Sequence, residues 1–156
     1  PATSKAENIL AVNPDGIMLS GGPGNPMDCT FQIEELRKLI GKKPVFGISL
    51  GHQLVALACG GDTAKLKYGH RGNHPVKDLA NGKTYITAQN HGYVVMADKL
   101  VNKKAVISHI NVNDGTVEGI RYTDTPTFTV QFNPEAAPGP KEMMYLFDEF
   151  IALMDK

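Results

Sequence analysis

An α/β fold, with a mostly parallel sheet flanked by helices and an antiparallel extension, is predicted by three features of the chain. Strand and helix patterns alternate from Ser4 to Cys59, strand patterns crowd together from Thr84 to Phe132, and the C-terminal segment returns to helical spacing. No repeat, low-complexity tract or linker divides the 156 residues, so residues 1–156 read as one domain built on one core.

Taken in order, Ser4-Lys-Ala-Glu7 has the form of a capping box, and Asn13-Pro14 closes the short helix behind it. Ile17 to Leu19 forms a short buried strand that runs into Gly21-Gly22-Pro23-Gly24. Ile33, Leu36, Leu39 and Ile40 recur at helical spacing with Gly41 as the C-terminal stop. Val45 to Ile48 is the next strand and feeds a helix through Leu54-Val-Ala-Leu-Ala-Cys59. Gly69 to Pro75 reads as a polar loop, because Gly69, Gly72 and Pro75 oppose a helix there. Strands follow at Tyr85 to Thr87, Tyr93 to Met96, Ala105 to Val112, Val117 to Tyr122 and Thr127 to Phe132. Met143, Leu146, Phe147, Phe150, Ile151 and Met154 stripe the terminal helix.

Composition excludes several classes of function. Sixteen basic residues balance sixteen acidic ones, so nothing in the charge favours nucleic acid or an anionic membrane as partner; a small molecule or a protein fits better. No apolar run approaches the ~18 residues of a membrane-spanning helix, and residues 1–13 lack the layout of a secretory signal, which places the expected site of action in the cytoplasm. Cys29 falls in a polar loop and Cys59 on an apolar helix; without spacing partners they form neither a disulfide framework nor a zinc site, and neither reads as a nucleophile. His70 and His74 lie four apart but in the glycine-rich loop, which reads as a surface or partner-facing segment rather than as metal ligands. No metal and no cofactor is expected.

The chemistry concentrates at Gly47-Ile48-Ser49-Leu50-Gly51, which follows an apolar strand and has the form of a nucleophile elbow. In an elbow the central residue takes a strained backbone geometry that lifts its side chain above the sheet, and the flanking glycines admit the neighbouring strand and helix. The same five residues also suit an ordinary strand–glycine–helix junction, and alone they leave both readings open. Downstream, Phe128, Val130 and Phe132 alternate with Thr129 and Gln131 until Pro134 stops the strand, so Asn133 and Glu135 sit just past a strand end, where open α/β sheets place functional groups. Asn133 cannot serve as a base, because a carboxamide accepts no proton near neutral pH. The Gly21–Gly24 turn lacks the Lys-Ser/Thr ending of a phosphate-binding loop.

Read together, Gly47-Ile48-Ser49-Leu50-Gly51-His52-Gln53 and Asn133-Pro134-Glu135 resemble the nucleophile and His-Pro-Glu motifs of class I (triad) glutamine amidotransferases. The match narrows to the small-subunit family of carbamoyl-phosphate synthase through Leu19–Pro26, Tyr68–Val76, Thr87–Tyr93, Asn113–Gly119, and Pro138-Gly-Pro140 followed by Tyr145-Leu-Phe147. It covers essentially the whole chain. The resemblance implies ammonia supply from glutamine for carbamoyl phosphate synthesis, on the route to pyrimidines and arginine, with the synthase large subunit or domain as partner. It places catalytic positions at Ser49, Asn133 and Glu135, an oxyanion hole at the backbone N–H groups of Gly22 and Leu50, and substrate contacts at Gly24, Gln53, Asn90, Gly92 and Tyr93. His52 supports the helix start, His91 is structural, and His109 has no assigned partner.

Two of the three catalytic positions depart from the family pattern: Ser49 stands where the family has cysteine, and Asn133 where it has histidine. Hydrolysis is therefore expected to be disabled. By the resemblance, residues 1–156 are expected to lack the family's first strand and helix and its amino-terminal small-subunit domain, and the Gly69–Pro75 loop runs one residue short of the family pattern. Two alternatives from other classes are a catalytically silent protein with a binding or regulatory role, and a serine hydrolase using Ser49, which would need a downstream histidine as base.

Overall fold

Val45-Phe-Gly-Ile48 is buried at every position, which a strand reaches only when both faces of its sheet are covered. The computed structural model describes residues 1–100, 104–136 and 139–155. Strands β1 (Ile17–Leu19), β2 (Val45–Ile48), β3 (Thr63–Asp78), β4 (Thr84–Val95), β5 (Ala105–Asn111), β6 (Val117–Tyr122) and β7 (Thr127–Val130) form one sheet in the order β1-β2-β7-β6-β5-β3-β4. Pairing is parallel in β1-β2-β7 and antiparallel from β7 through β4, so the antiparallel extension is the larger part of a mixed sheet.

Alternation along β2 divides the core. Val45 points into a cluster with Leu36, Leu39, Val55 and Ile120, while Phe46 and Ile48 point into a second one with Phe128, Val130, Leu146 and Phe150. Helices α1 (Ala6–Ala11), α2 (Thr30–Leu39) and α3 (Leu50–Ala58) contribute to the first cluster, and α4 (Tyr145–Met154) to the second. Phe46 stacks on Phe128 at 4.4 Å between ring centroids, which ties β2 to β7 on the α4 side. An Arg121–Glu149 ion pair joins β6 to α4 on the same side.

Most predicted elements are present, with instructive departures. Ser4 makes no cap: α1 starts after Lys5, and the Ala6 N–H donates instead to Glu35 Oε2 on α2, 2.6 Å away. That bond, reinforced by Lys38, holds the Glu35 carboxyl below its ordinary range. The helix ends at Ala11, and two residues on Asn13 has φ 47°, the left-handed geometry asparagine tolerates. Cys29 stands at the start of α2 and packs against the first cluster rather than in a polar loop. Cys59 ends α3 half-buried, its thiol pushed up to about 11 mainly by burial, so it carries no thiolate at neutral pH.

The largest correction concerns Gly69 to Pro75, which is strand rather than loop. These residues lie within β3, and His70 to Pro75 pair with Ile86 to His91 of β4, after a register shift between Lys65 and His70. Gly69 and Gly72 have φ of 72° and 84°, so the irregular ladder depends on residues without a Cβ. For the same reason β4 is continuous where two strands were expected: Gln89, Asn90 and His91 face polar surroundings, and an apolar pattern cannot reveal such a strand. The Pro138 part of the Pro138-Gly-Pro140 motif lies outside the described residues.

Candidate functional site

At Ser49 the chain turns from β2 into α3 with φ 54° and ψ −109°, a conformation that costs a non-glycine residue of the order of 1–3 kcal/mol. Its neighbours enforce it. A Cβ on Gly47 would lie 2.9 Å from the carbonyl carbon and oxygen of Gly51, and one on Gly51 would lie 2.5 Å from the Leu19 carbonyl oxygen. The elbow expected from the sequence is therefore what allows β1, β2 and α3 to meet. The Ser49 N–H is taken by the Val130 carbonyl at 2.9 Å, and Ser49 offers α3 no side-chain cap. The N–H groups of the first turn, Leu50 among them, are left with the positive end of the helix dipole.

Above the elbow opens a cavity of about 650 Å³ lined by residues from both halves of the sheet. Gly22, Gly24, Ser49, Gln53, Asn90, Gly92, Tyr93, Asn133 and Glu135, nine of the ten residues the sequence nominated, line it. Leu50 does not line it; its side chain abuts Gly22, where a Cβ would come within 2.8 Å of Leu50 Cδ2. Asn133 is fixed to the cavity wall by its N–H, which donates to the Ala88 carbonyl at 2.9 Å, while Glu135 is exposed at the rim. Gln53 is buried and partly committed: its Nε2 donates to the Tyr93 carbonyl at 2.8 Å and to Gln131 Oε1 at 2.9 Å. The Gln53 Oε1 atom is its remaining polar group for a ligand.

Arg71, Gly21, Pro23 and His91 also line the cavity, and sequence reasoning had placed none of them in the site. Arg71 donates from Nη1 to the His91 carbonyl at 2.8 Å, which holds a guanidinium in the wall of a cavity whose other charged lining residue is Glu135. A cation inside a motif shared with a glutamine-using family was the available signal. His91 is structural as expected: Nδ1 lies 2.8 Å from the Tyr93 carbonyl and Nε2 2.8 Å from Gln89 Oε1, and burial pushes its pKa down. His70 is not on a surface loop. It is buried, 2.8 Å from Asp114 Oδ2 and 3.1 Å from Gln89 Oε1, and its pKa is pushed up to about 9, first by Glu118 and then by Asp114. His109 is also buried, 2.9 Å from Ser108 Oγ.

His52 supports the helix start, as expected. It is fully buried, with Nδ1 2.8 Å from Thr129 Oγ1, which links the first turn of α3 to β7. Burial first, and the His91 ring second, push its pKa from the ordinary 6.5 down to about 3. A ring neutral in the fold but protonated in the unfolded chain contributes stability above pH 6.5 that is lost as pH falls toward 3, by up to about 1.4 kcal/mol per pH unit. Urea midpoints are expected to drop between pH 7 and pH 4, and to drop less in His52→Asn, whose carboxamide can keep the Thr129 bond. Equal slopes in the two proteins would assign the acid sensitivity elsewhere.

Comparison with known proteins agrees with this architecture. Residues 1–153 match the family model described as glutamine amidotransferase class-I. The chain is 57% identical over 155 residues to the carbamoyl phosphate synthase small chain of Bacillus caldolyticus, covering 99% of this chain and 43% of that protein. It is 55% identical over 156 residues to the protein of the same name from Listeria monocytogenes, again covering 99% of this chain and 43% of the relative. The chain thus spans less than half the length of these curated relatives. Among solved structures, a GMP synthase-type protein from Thermoplasma acidophilum superposes with a TM-score of 0.84 at 21% identity, over 99% of this chain and 79% of that one. A Thermotoga maritima glutamine amidotransferase gives 0.61 at 20% identity, over 90% and 69% of the two chains. These two show the same fold. With the family model matched almost end to end and the elbow in place, the chain belongs to the class I glutamine amidotransferases.

Proposed function

We propose that this chain is the glutamine-binding amidotransferase unit of a carbamoyl-phosphate synthase, with hydrolysis silenced at Ser49 and Asn133. The observation that carries the reading is the meeting of the Ser49 elbow with Asn133 and Glu135 in one cavity, although they lie far apart along the chain. Glutamine fits with its side-chain amide over Ser49. Its carbonyl oxygen is directed at the N–H groups of Gly22 and Leu50, and its amino-acid end at Gly24, Gln53, Asn90, Gly92 and Tyr93. The Gln53 Oε1 atom suits the α-ammonium and the Arg71 guanidinium the α-carboxylate.

Chemistry then stops at the first proton. A serine hydroxyl needs a base to attack an amide, and departing ammonia needs an acid. Asn133 can be neither. A glutamine-filled, unreactive unit fits a binding or regulatory role beside the large subunit or domain, where carbamoyl phosphate is made from ammonia, bicarbonate and ATP. A cytoplasmic location goes with that role, and no helix among the described residues is long and apolar enough to cross a membrane. The serine-hydrolase reading lacks its base: His91, the cavity's histidine, has both ring nitrogens directed at protein oxygens.

Glutamate release from glutamine is expected to match the buffer blank, while glutamine, and hardly asparagine, raises the melting temperature by mass action. Turnover abolished by Ser49→Ala would instead establish a serine hydrolase. Equal shifts with both amides, or none at saturating glutamine, would remove the glutamine site.

A further inference from the structure

We propose that His70, His91 and Glu118 bind a divalent transition-metal ion of the zinc class, clipping the β3–β4 hairpin to β6. All three residues are buried, and one donor atom from each lies within 4.8 Å of the others. His70 faces His91 directly across the β3–β4 ladder, and Glu118, fully buried, comes from β6.

The surrounding hydrogen bonds have the pattern that orients metal-binding histidines, in which each ring donates outward and presents its other nitrogen inward. His70 Nε2 is 2.8 Å from Asp114 Oδ2, and His91 Nδ1 is 2.8 Å from the Tyr93 carbonyl oxygen. Both partners accept only, so the outer nitrogens carry the protons. The inner nitrogens, His70 Nδ1 and His91 Nε2, then converge on a single oxygen, Gln89 Oε1, at 3.1 and 2.8 Å. The Gln89 Nε2 atom lies on the other side, donating to Thr87 Oγ1 at 3.1 Å, and the Thr87 hydroxyl donates to the His74 carbonyl at 2.9 Å.

With its one proton on Nδ1, His91 turns the Nε2 lone pair toward the Gln89 carbonyl oxygen, an unfavourable pairing that a cation between them would relieve. Glu118 repeats the point. Its Oε1 accepts from Asn111 Nδ2 at 2.9 Å and lies 3.5 Å from His70 Nδ1, while its Oε2 is buried with no partner among the described residues. A bare buried carboxylate oxygen is costly, and an ion held there removes that cost. Two imidazoles and one carboxylate form a donor set suited to Zn²⁺, with Gln89 Oε1 available as a fourth ligand. On binding, His70 Nδ1 releases to solvent the proton it shares with Glu118. The ligands come from three strands, so no motif spacing announces them.

The test is calorimetric titration of the chelator-treated chain with Zn²⁺, alongside the visible spectrum of Co²⁺ as a tetrahedral reporter. One ion per chain is expected, together with a higher melting temperature. Glu118→Gln keeps the Asn111 bond but removes the charge, and is expected to weaken binding by at least about 10-fold. Asp114→Asn keeps the turn bonds to Thr116, disturbs only the outer partner of His70, and is expected to weaken it about 10-fold. The proposal is overturned if the chain, folded by circular dichroism, takes up no stoichiometric Zn²⁺. It is equally overturned if uptake has the same affinity in both variants as in the parent chain.

Discussion

Ser49→Cys combined with Asn133→His is expected to give a chain that releases glutamate from glutamine, whereas either change alone is expected to give little. The new thiol would stand at the start of α3, where unpaired N–H groups and the helix dipole favour a thiolate. A histidine at position 133 would project further than asparagine from the same cavity wall, and Glu135 lines the same cavity, where a carboxylate could orient it. Imidazole takes the proton from the thiol and returns one to departing ammonia, a contribution of typically about 10²–10⁴-fold. Because nucleophile and base act as a unit, the double variant should exceed the product of the singles. Glutamate formation and alkylation by a reactive glutamine analogue, measured in all three variants with the large subunit present, check this. A double variant that binds glutamine yet stays inert, with an unreactive thiol, would show that Ser49 and Asn133 are not the nucleophile and base positions.

Gly51→Ala is expected to be the most destabilising small substitution in the site. Its Cβ would lie 2.5 Å from the Leu19 carbonyl oxygen and 2.7 Å from Leu19 Cβ, so the clash is with backbone that no rotamer change relieves. Relief requires moving β1, a three-residue edge strand whose Leu19 pairs with Gly47. Overpacking of this kind costs about 1–3 kcal/mol. At about 2–4 °C per kcal/mol for a domain of this size, the melting temperature should fall clearly. Gly92→Ala is the matched control: its Cβ would meet nothing within 4 Å, so stability should hold within about 0.5 kcal/mol while glutamine binding at the cavity changes. A Gly51→Ala protein that melts like the parent would mean the elbow is not sterically enforced.

The parts of this fold legible in the sequence are those that bury apolar side chains with a regular period. Val45 to Ile48, the Ile33–Leu39 stripe and the terminal helix follow from such patterns, because one face of each must leave water. The elbow was legible for a different reason: close packing against Leu19 and Thr129 admits only glycine at 47 and 51, so the steric demand is written in the residue type. The Ser4 capping box failed because an N–H accepts whichever oxygen arrives, and Glu35, distant in sequence, reaches Ala6 first.

The sequence by itself determined the α/β class, the elbow at Ser49 and nine of the residues that line the cavity, since each rests on local sterics or on an ordered series of motifs. Tertiary structure alone decided that Gly69 to Pro75 is strand, that Arg71 enters the cavity, and that His70, His91 and Glu118 converge. The physical reason is common to all three. The β3–β4 hairpin buries polar groups against polar groups, and hydrogen-bond complementarity between distant strands has no period along the chain.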